Sequence, residues 1–263
     1  MSRTPALQQV NSLLDIMQRL RDRENGCPWD IEQNFASIAQ YTIEEAYEVS
    51  DAVDRENYAD LKEELGDLLL QVVFHSQMAS EQELFDFGDV VTAISSKMVR
   101  RHPHVFGGER TNNQDAVAAN WETMKAIERV SKNDNESILS GVARALPALL
   151  RAQKIQKRAA RVGFDWPNKD GAVEKLHEEI SELTDAQSDA EQFEEFGDLL
   201  FAAVNVARHL NIDAEAALKA GTAKFERRFR AMESQTNGEF ASRSLEENEL
   251  LWQQVKLSER FAK

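Results

Sequence analysis

Cysteine is almost absent from this chain: Cys27 is the only one in 263 residues. An intrachain disulfide is therefore excluded, which fits a reducing cytosol. Proline and glycine are also scarce, at 5 and 11 residues, while Ala, Leu, Glu and Gln abound, so an all-α fold is expected. Positive charge is in deficit: 46 Asp and Glu face 31 Lys and Arg, a net charge of −15. Such a chain repels a nucleic-acid duplex. It binds a polyanionic substrate only where a metal or a local cluster of Lys and Arg reverses the sign. Long apolar runs are missing too. Residues 1–20 lack the apolar core of a signal peptide, and no stretch approaches a membrane span. A cytoplasmic protein with no membrane partner is the expectation. No Walker A loop is present, because Gly107-Gly108 lacks the Gly-Lys-Ser/Thr that would follow.

What is there is a pattern of acids, written twice. Glu178-Glu179-Ile180-Ser181-Glu182 is followed after a polar spacer by Glu195-Phe196-Gly197-Asp198. Upstream, Glu44-Glu45-Ala46-Tyr47-Glu48 is followed by Glu64-Leu65-Gly66-Asp67. In each copy the acids lie three or four residues apart on two successive helical segments, hence on one side of each helix. Any one of them would pass for a solvated acid near a helix N-terminus. The repeated set does not, since it runs straight into the uncharged stretch 199–207. That stretch predicts a helix buried nearly all round, with Glu195 and Asp198 entering a largely covered space. Carboxylates gathered at one point call for a hard divalent cation. A di-iron bundle would need two Glu-x-x-His pairs, and the sequence has one, Glu174 and His177. Oxygen-only ligation suits Mg²⁺ or Mn²⁺.

The apolar periodicity predicts helices over 6–22, a segment capped by Thr42 and running to Arg55, 58–80, 89–101, 115–130, 144–161, 170–187, 189–210, 213–233 and 244–259. Loops are expected at 24–30, 85–88, 107–113 and 163–167. The polar tract around Ser131 to Ser137 reads as a linker, dividing the chain into 1–130, 131–139 and 140–263. A shift of 131 residues carries Glu64 onto Glu195, Asp67 onto Asp198 and Trp121 onto Trp252. The halves are therefore two copies of one helical unit, an internal duplication rather than a solenoid. They differ beside the acids. Asn205 aligns with Phe74, and Lys175 aligns with Tyr41. The first half thus lacks an amide and a cation useful to a triphosphate, so 140–263 is expected to carry most activity and 1–130 to be structural or regulatory. The densest cation cluster is Lys224-Phe225-Glu226-Arg227-Arg228-Phe229-Arg230. It reads either as a solvated face or as a phosphate contact, and Lys175 lies one turn before Glu179.

The tandem Glu-Glu-x-x-Glu and Glu-x-x-Asp motifs, with Cys27-Pro28-Trp29-Asp30, Gly163-Phe164-Asp165-Trp166, Lys224 to Arg228 and Trp252-Gln253-Gln254-Val255-Lys256, resemble the MazG nucleoside triphosphate pyrophosphohydrolases over almost the full length. The resemblance implies two tandem all-α bundles, a homodimer, and Mg²⁺-dependent hydrolysis of a nucleoside triphosphate such as ATP to monophosphate and pyrophosphate. Carried over, it makes Glu179, Glu182, Glu195 and Asp198 the metal-binding and catalytic set, with Glu45, Glu48, Glu64 and Asp67 a second candidate set. Lys175, Glu178, Lys224, Arg227, Arg228 and Trp252 become candidates for nucleotide contact. The spacer Leu183 to Glu194 departs from relatives in being short and free of Lys and Arg. A narrower dUTPase-like pyrophosphatase and a non-catalytic regulatory dimer are the alternatives.

Overall fold

The computed structural model describes residues 4–107, 113, 114, 117, 120, 121, 123, 124, 137–236, 240 and 243–261. Among them the chain is all-α, with eleven helices and no strand. It divides into two compact units, Met1–Lys125 and Ala126–Lys263.

In the first unit α1 (Thr4–Leu20), α2 (Pro28–Glu32), α3 (Phe35–Asp54), α4 (Tyr58–Glu81), α5 (Phe87–Arg101) and α6 (Pro103–Phe106) follow in order. Helices α1, α3 and α5 pack on α4. The core joins Met17, Ile38, Val73, Phe74 and Met78, with Leu70 and Tyr41 packed against it. The start of α3 corrects the sequence reading. Thr42 is not the cap. Asn34 accepts from the Ser37 amide, and the Ser37 hydroxyl accepts from the Asn34 amide, so the capping box lies eight residues earlier. Thr42 is inside the helix, 3.3 Å from His75 Nε2. Two short helices were also missed. Proline occupies the first turn of both α2 and α6, where its missing N–H and fixed φ suit a helix start.

The second unit holds α7 (Ala148–Ala160), α8 (Lys169–Asp185), α9 (Asp189–His209), α10 (Ala214–Thr236) and α11 (Leu245–Phe261). Helix α7 starts four residues later than expected, because Pro147 sits at its N-cap and keeps the residue before it out of the helical region. It ends in a turn closed by bonds from the Gly163 and Phe164 amides to Ala160 and Ala159 carbonyls. Gly163 takes φ +86° there, a left-handed backbone that glycine tolerates without cost. Helices α8 and α9 form a hairpin capped at the second helix by Ser188 and Glu191. Helix α7 packs on α9 and α10, and α10 packs on α11. Most of the helix expected over 115–130, and 131–136 of the linker, lie outside the described residues.

Helix α9 is not buried nearly all round, as its uncharged stretch suggested. Phe196 and Leu200 are 51% and 43% exposed, whereas Ala202, Val204 and Asn205 are buried. The side carrying Ala202 and Asn205 faces inward, while Asp198, nearer the start of the helix, is exposed. Phe196 and Leu200 face out.

Candidate active site

Helix geometry brings the acids together. Glu179 and Glu182 are one turn apart on α8, and the tight link to α9 sets Glu195 opposite them. One carboxylate oxygen from each of the three lies within 4.8 Å of the other two. Glu179 is the buried member, at 4% exposure. Glu195 is half-buried, and Glu182 and Asp198 are exposed. The covered space expected for Asp198 is thus not built within the unit. Asp198 lies outside this close triple but lines the same cleft.

Three like charges this close repel. The Glu195 carboxyl is held above its ordinary range, first by loss of hydration and then by Glu182, Glu179 and Asp198. Among the described residues one cation, Lys175, answers part of the charge. Lys175 Nζ is 2.8 Å from Glu178 Oε1, 2.8 Å from Glu179 Oε1 and 3.7 Å from Glu182 Oε2. Hydrogen bonds to Glu178 and then Glu179 hold its ammonium above the ordinary lysine range.

The cleft beside the acids has a volume of about 750 Å³. Lys175, Glu179 and Asp198 line it, together with the aromatic Phe164, Trp166 and Phe201 and the polar Gln156, Asn205 and Arg208. Phe164 is 81% exposed. Trp166 lies on Gly171, where an added Cβ would come within 2.2 Å of the indole Cδ1. Gln156 donates to the Phe201 carbonyl at 2.8 Å, and its own Oε1 is buried with no hydrogen-bond donor among the described residues. Arg208 donates to both oxygens of Asp165 and to Asn205 Oδ1. His209 lies 3.1 Å from the same Asp165. The Arg208 bond holds the Asp165 carboxyl below the ordinary aspartate range. Sequence reading assigned no role to Asp165, Arg208 or Gln156. The one available signal was Asp165 inside the Gly-Phe-Asp-Trp loop.

The remaining nucleotide-contact candidates are not brought to this cleft. Lys224, Arg227 and Arg228 are on α10 and Trp252 on α11, and none of the four lines it. Arg227 and Arg228 each donate to Glu259 at 2.8 Å. The Arg228 guanidinium lies 5.6 Å from the Trp252 ring centroid, and Phe225 packs on the same indole. In this unit, therefore, the cation cluster is balanced by an acid from another helix.

The first unit repeats the acid arrangement. Oxygens of Glu45, Glu48 and Glu64 lie within 4.8 Å of one another, with Asp67 again outside the close triple. The carboxyls of Glu45 and Glu64 are both raised, Glu45 by burial and then Asp67, Glu64 by burial and then Glu48. Among the described residues no Lys or Arg pairs with this triple. Tyr41, in the position of Lys175, packs against the core and edge-on to Trp29.

A model of the MazG nucleotide pyrophosphohydrolase domain matches residues 33–106, the segment that carries the first acid set. Similarity to curated proteins extends much further. The nucleoside triphosphate pyrophosphohydrolase of Escherichia coli K12 is 53% identical over 261 residues, which cover 96% of this chain and 99% of that protein. The nucleoside triphosphate pyrophosphohydrolase/pyrophosphatase MazG of Thermotoga maritima is 45% identical over 221 residues, 84% of each. With the duplicated carboxylate triples on paired helices and this near-complete coverage, the chain belongs to the MazG family of nucleotide pyrophosphohydrolases.

Proposed function

We propose that this chain hydrolyses nucleoside triphosphates, ribo and deoxy alike, to the monophosphate and pyrophosphate, using Mg²⁺ or Mn²⁺ and a water that attacks the α-phosphorus. The observation that carries the reading is the convergence of Glu179, Glu182 and Glu195 at the edge of a cleft that also presents Lys175. The donor set fits a hard divalent ion: it is all oxygen, one member is buried, and loss of hydration together with mutual repulsion already raises Glu195. Glu179, Glu182 and Glu195, with Asp198 alongside, would hold the ion. When bound, Mg²⁺ would neutralise the acids and make a coordinated water more acidic.

The chain's own residues supply the rest. Whichever of Glu179 and Glu182 keeps an oxygen free of the metal accepts the water proton. Lys175 balances charge on the leaving pyrophosphate. Phe164, Trp166 and Phe201 offer apolar faces to the base, a contact that tolerates every base and so suits a broad substrate range. The second unit carries most of the activity, because its cleft holds the amide of Asn205 and the cation of Lys175 where the first unit has Phe74 and Tyr41.

A homodimer completes the reading. Helix α9 presents Phe193, 86% exposed, along with Phe196 and Leu200, beside acids whose cover is missing. A second copy would cover them, and Lys224, Arg227, Arg228 and Trp252 would serve the nucleotide from that copy.

The test is release of pyrophosphate from mixed nucleoside triphosphates with Mg²⁺ in ¹⁸O-water. Label in the monophosphate is expected. Label in pyrophosphate would mean attack at the β-phosphorus, and a diphosphate with labelled phosphate would mean attack at the γ-phosphorus.

A further inference from the structure

We infer that Lys175 is an internal counter-cation that competes with the metal for Glu179 and Glu182, so that metal entry drives its ammonium off the acids and towards the triphosphate. This rests on the metal reading above and adds a cost and an order to binding.

Lys175, Glu178, Glu179 and Glu182 stand three, four and seven residues along one face of α8. The ammonium is 2.8 Å from Glu179 Oε1 and 3.7 Å from Glu182 Oε2. The same two side chains reach within 4.8 Å of Glu195, so an ion held by the triple draws on carboxylates that Lys175 already engages. A lysine and a divalent ion cannot both sit a few ångströms from one buried carboxylate without strong repulsion. The flexible four-carbon stem lets the ammonium move rather than be trapped. Both Lys175 and Glu179 line the cleft, so the displaced charge stays where a triphosphate would lie. Metal first and nucleotide second is the order this favours.

The first unit acts as a natural control. Tyr41 carries no charge at the corresponding position, and no Lys or Arg among the described residues pairs with Glu45, Glu48 or Glu64. There a metal would meet no internal rival among the described residues.

The measurement is Mn²⁺ binding to the nucleotide-free full-length chain, read from the EPR signal of free Mn²⁺. A Glu64→Gln background silences the first acid set. Lys175→Met should tighten Mn²⁺ binding at the second set by about tenfold or more, while Lys175→Arg, which keeps the charge, should leave it near the parental value. An unchanged or weaker Kd in Lys175→Met overturns the competition, as does equal tightening in both variants. In that event pyrophosphate release by the parent chain with Mg²⁺ still upholds the catalytic reading. Absence of Mn²⁺ binding to the second set in all three proteins removes the competition and the metal site together. Helicity by circular dichroism verifies that each variant is folded, and Lys175→Gln replaces the Met variant if that one is not.

Discussion

The two units place the same three carboxylates on the same pair of helices, yet build different interiors behind them. Behind Glu45, Glu48 and Glu64, Phe74 joins Met17, Ile38, Val73 and Met78 in a closed core, and Arg21 covers the Phe74 ring at 5.3 Å. Behind Glu179, Glu182 and Glu195, Asn205 and Gln156 line an open cleft of about 750 Å³. Duplicated acids alone do not make two equal sites. What separates them is one aromatic ring turned into an amide and one phenol turned into an ammonium.

The strongest way to break this contrast is to remove the corresponding acid from each unit of the full chain. Glu179→Gln should lower turnover on the order of a thousandfold, and Asp198→Asn should also abolish it, while Glu45→Gln leaves most activity in place. Pyrophosphate release measures all three, and equal losses from Glu45→Gln and Glu179→Gln would show that both units work.

Exchanging the interiors should give the next largest effect. Phe74→Asn opens a cavity and buries an amide, and should cost the first unit about 4 kcal/mol in chemical denaturation. Asn205→Phe fills the cleft and removes an acceptor from Arg208. It should raise KM on the order of tenfold, with little loss of stability. If Asn205→Phe destabilised as strongly as Phe74→Asn, the cleft would be core rather than binding space.

Gly171 sharpens the comparison at the loop. Aligning the Glu-Glu pairs places Ser37 at this position in the first unit. Gly171→Ala must push Trp166 aside. Crowding of about 1–3 kcal/mol outweighs the helix gain of about 1 kcal/mol, so a net destabilisation with a raised KM is expected from thermal melts and kinetics.

The smallest effect is in acid. The carboxyl of Glu259 is lowered from 4.5 to about 2 by Arg227 and Arg228. A depressed acid stabilises the fold fully above its unfolded value, and that contribution fades as pH falls from 4.5 towards 2. The α10–α11 pair should loosen in that window, seen as a change in fluorescence at Trp252. The first unit has a parallel in Glu81. Its burial opposes ionisation, but bonds from Arg21 and Gln77 prevail and lower its pKa. Arg21 is 8% exposed at the side chain, against 62% for Arg227, so high salt should weaken the Arg227–Glu259 pair more than Arg21–Glu81.

Much of this was legible in the chain itself. Acids repeated at helical spacing reveal their shared face without any tertiary knowledge, and helices α4, α5 and α9 begin within two residues of the expected positions because Asn57, Asp86 and Ser188 are strong caps. The misses have local causes. Thr42 and Glu45 match a capping box by spacing, but Asn34 with Ser37 does so at a real helix start. The inward face of α9 could not be read from apolarity, since Phe196 and Leu200 outweigh Ala202 and Asn205 on any hydrophobic scale while facing out. Asp165–Arg208 spans 43 residues and Arg228–Glu259 spans 31. Only the folded chain discloses such pairs, and they decide which cations are already engaged.

The outward face of α9 has a consequence for how the molecule responds to its surroundings. Each copy carries a net charge of −15, so two copies approaching through Phe193, Phe196 and Leu200 must overcome a mutual field that dilute buffer hardly screens. Added salt shortens the reach of that field, and strongly hydrated anions such as sulfate also favour apolar burial. The dimer proposed above should therefore strengthen with ionic strength while the Arg227–Glu259 pair weakens. Salt, which loosens an ordinary ion-paired surface, would here draw the copies together.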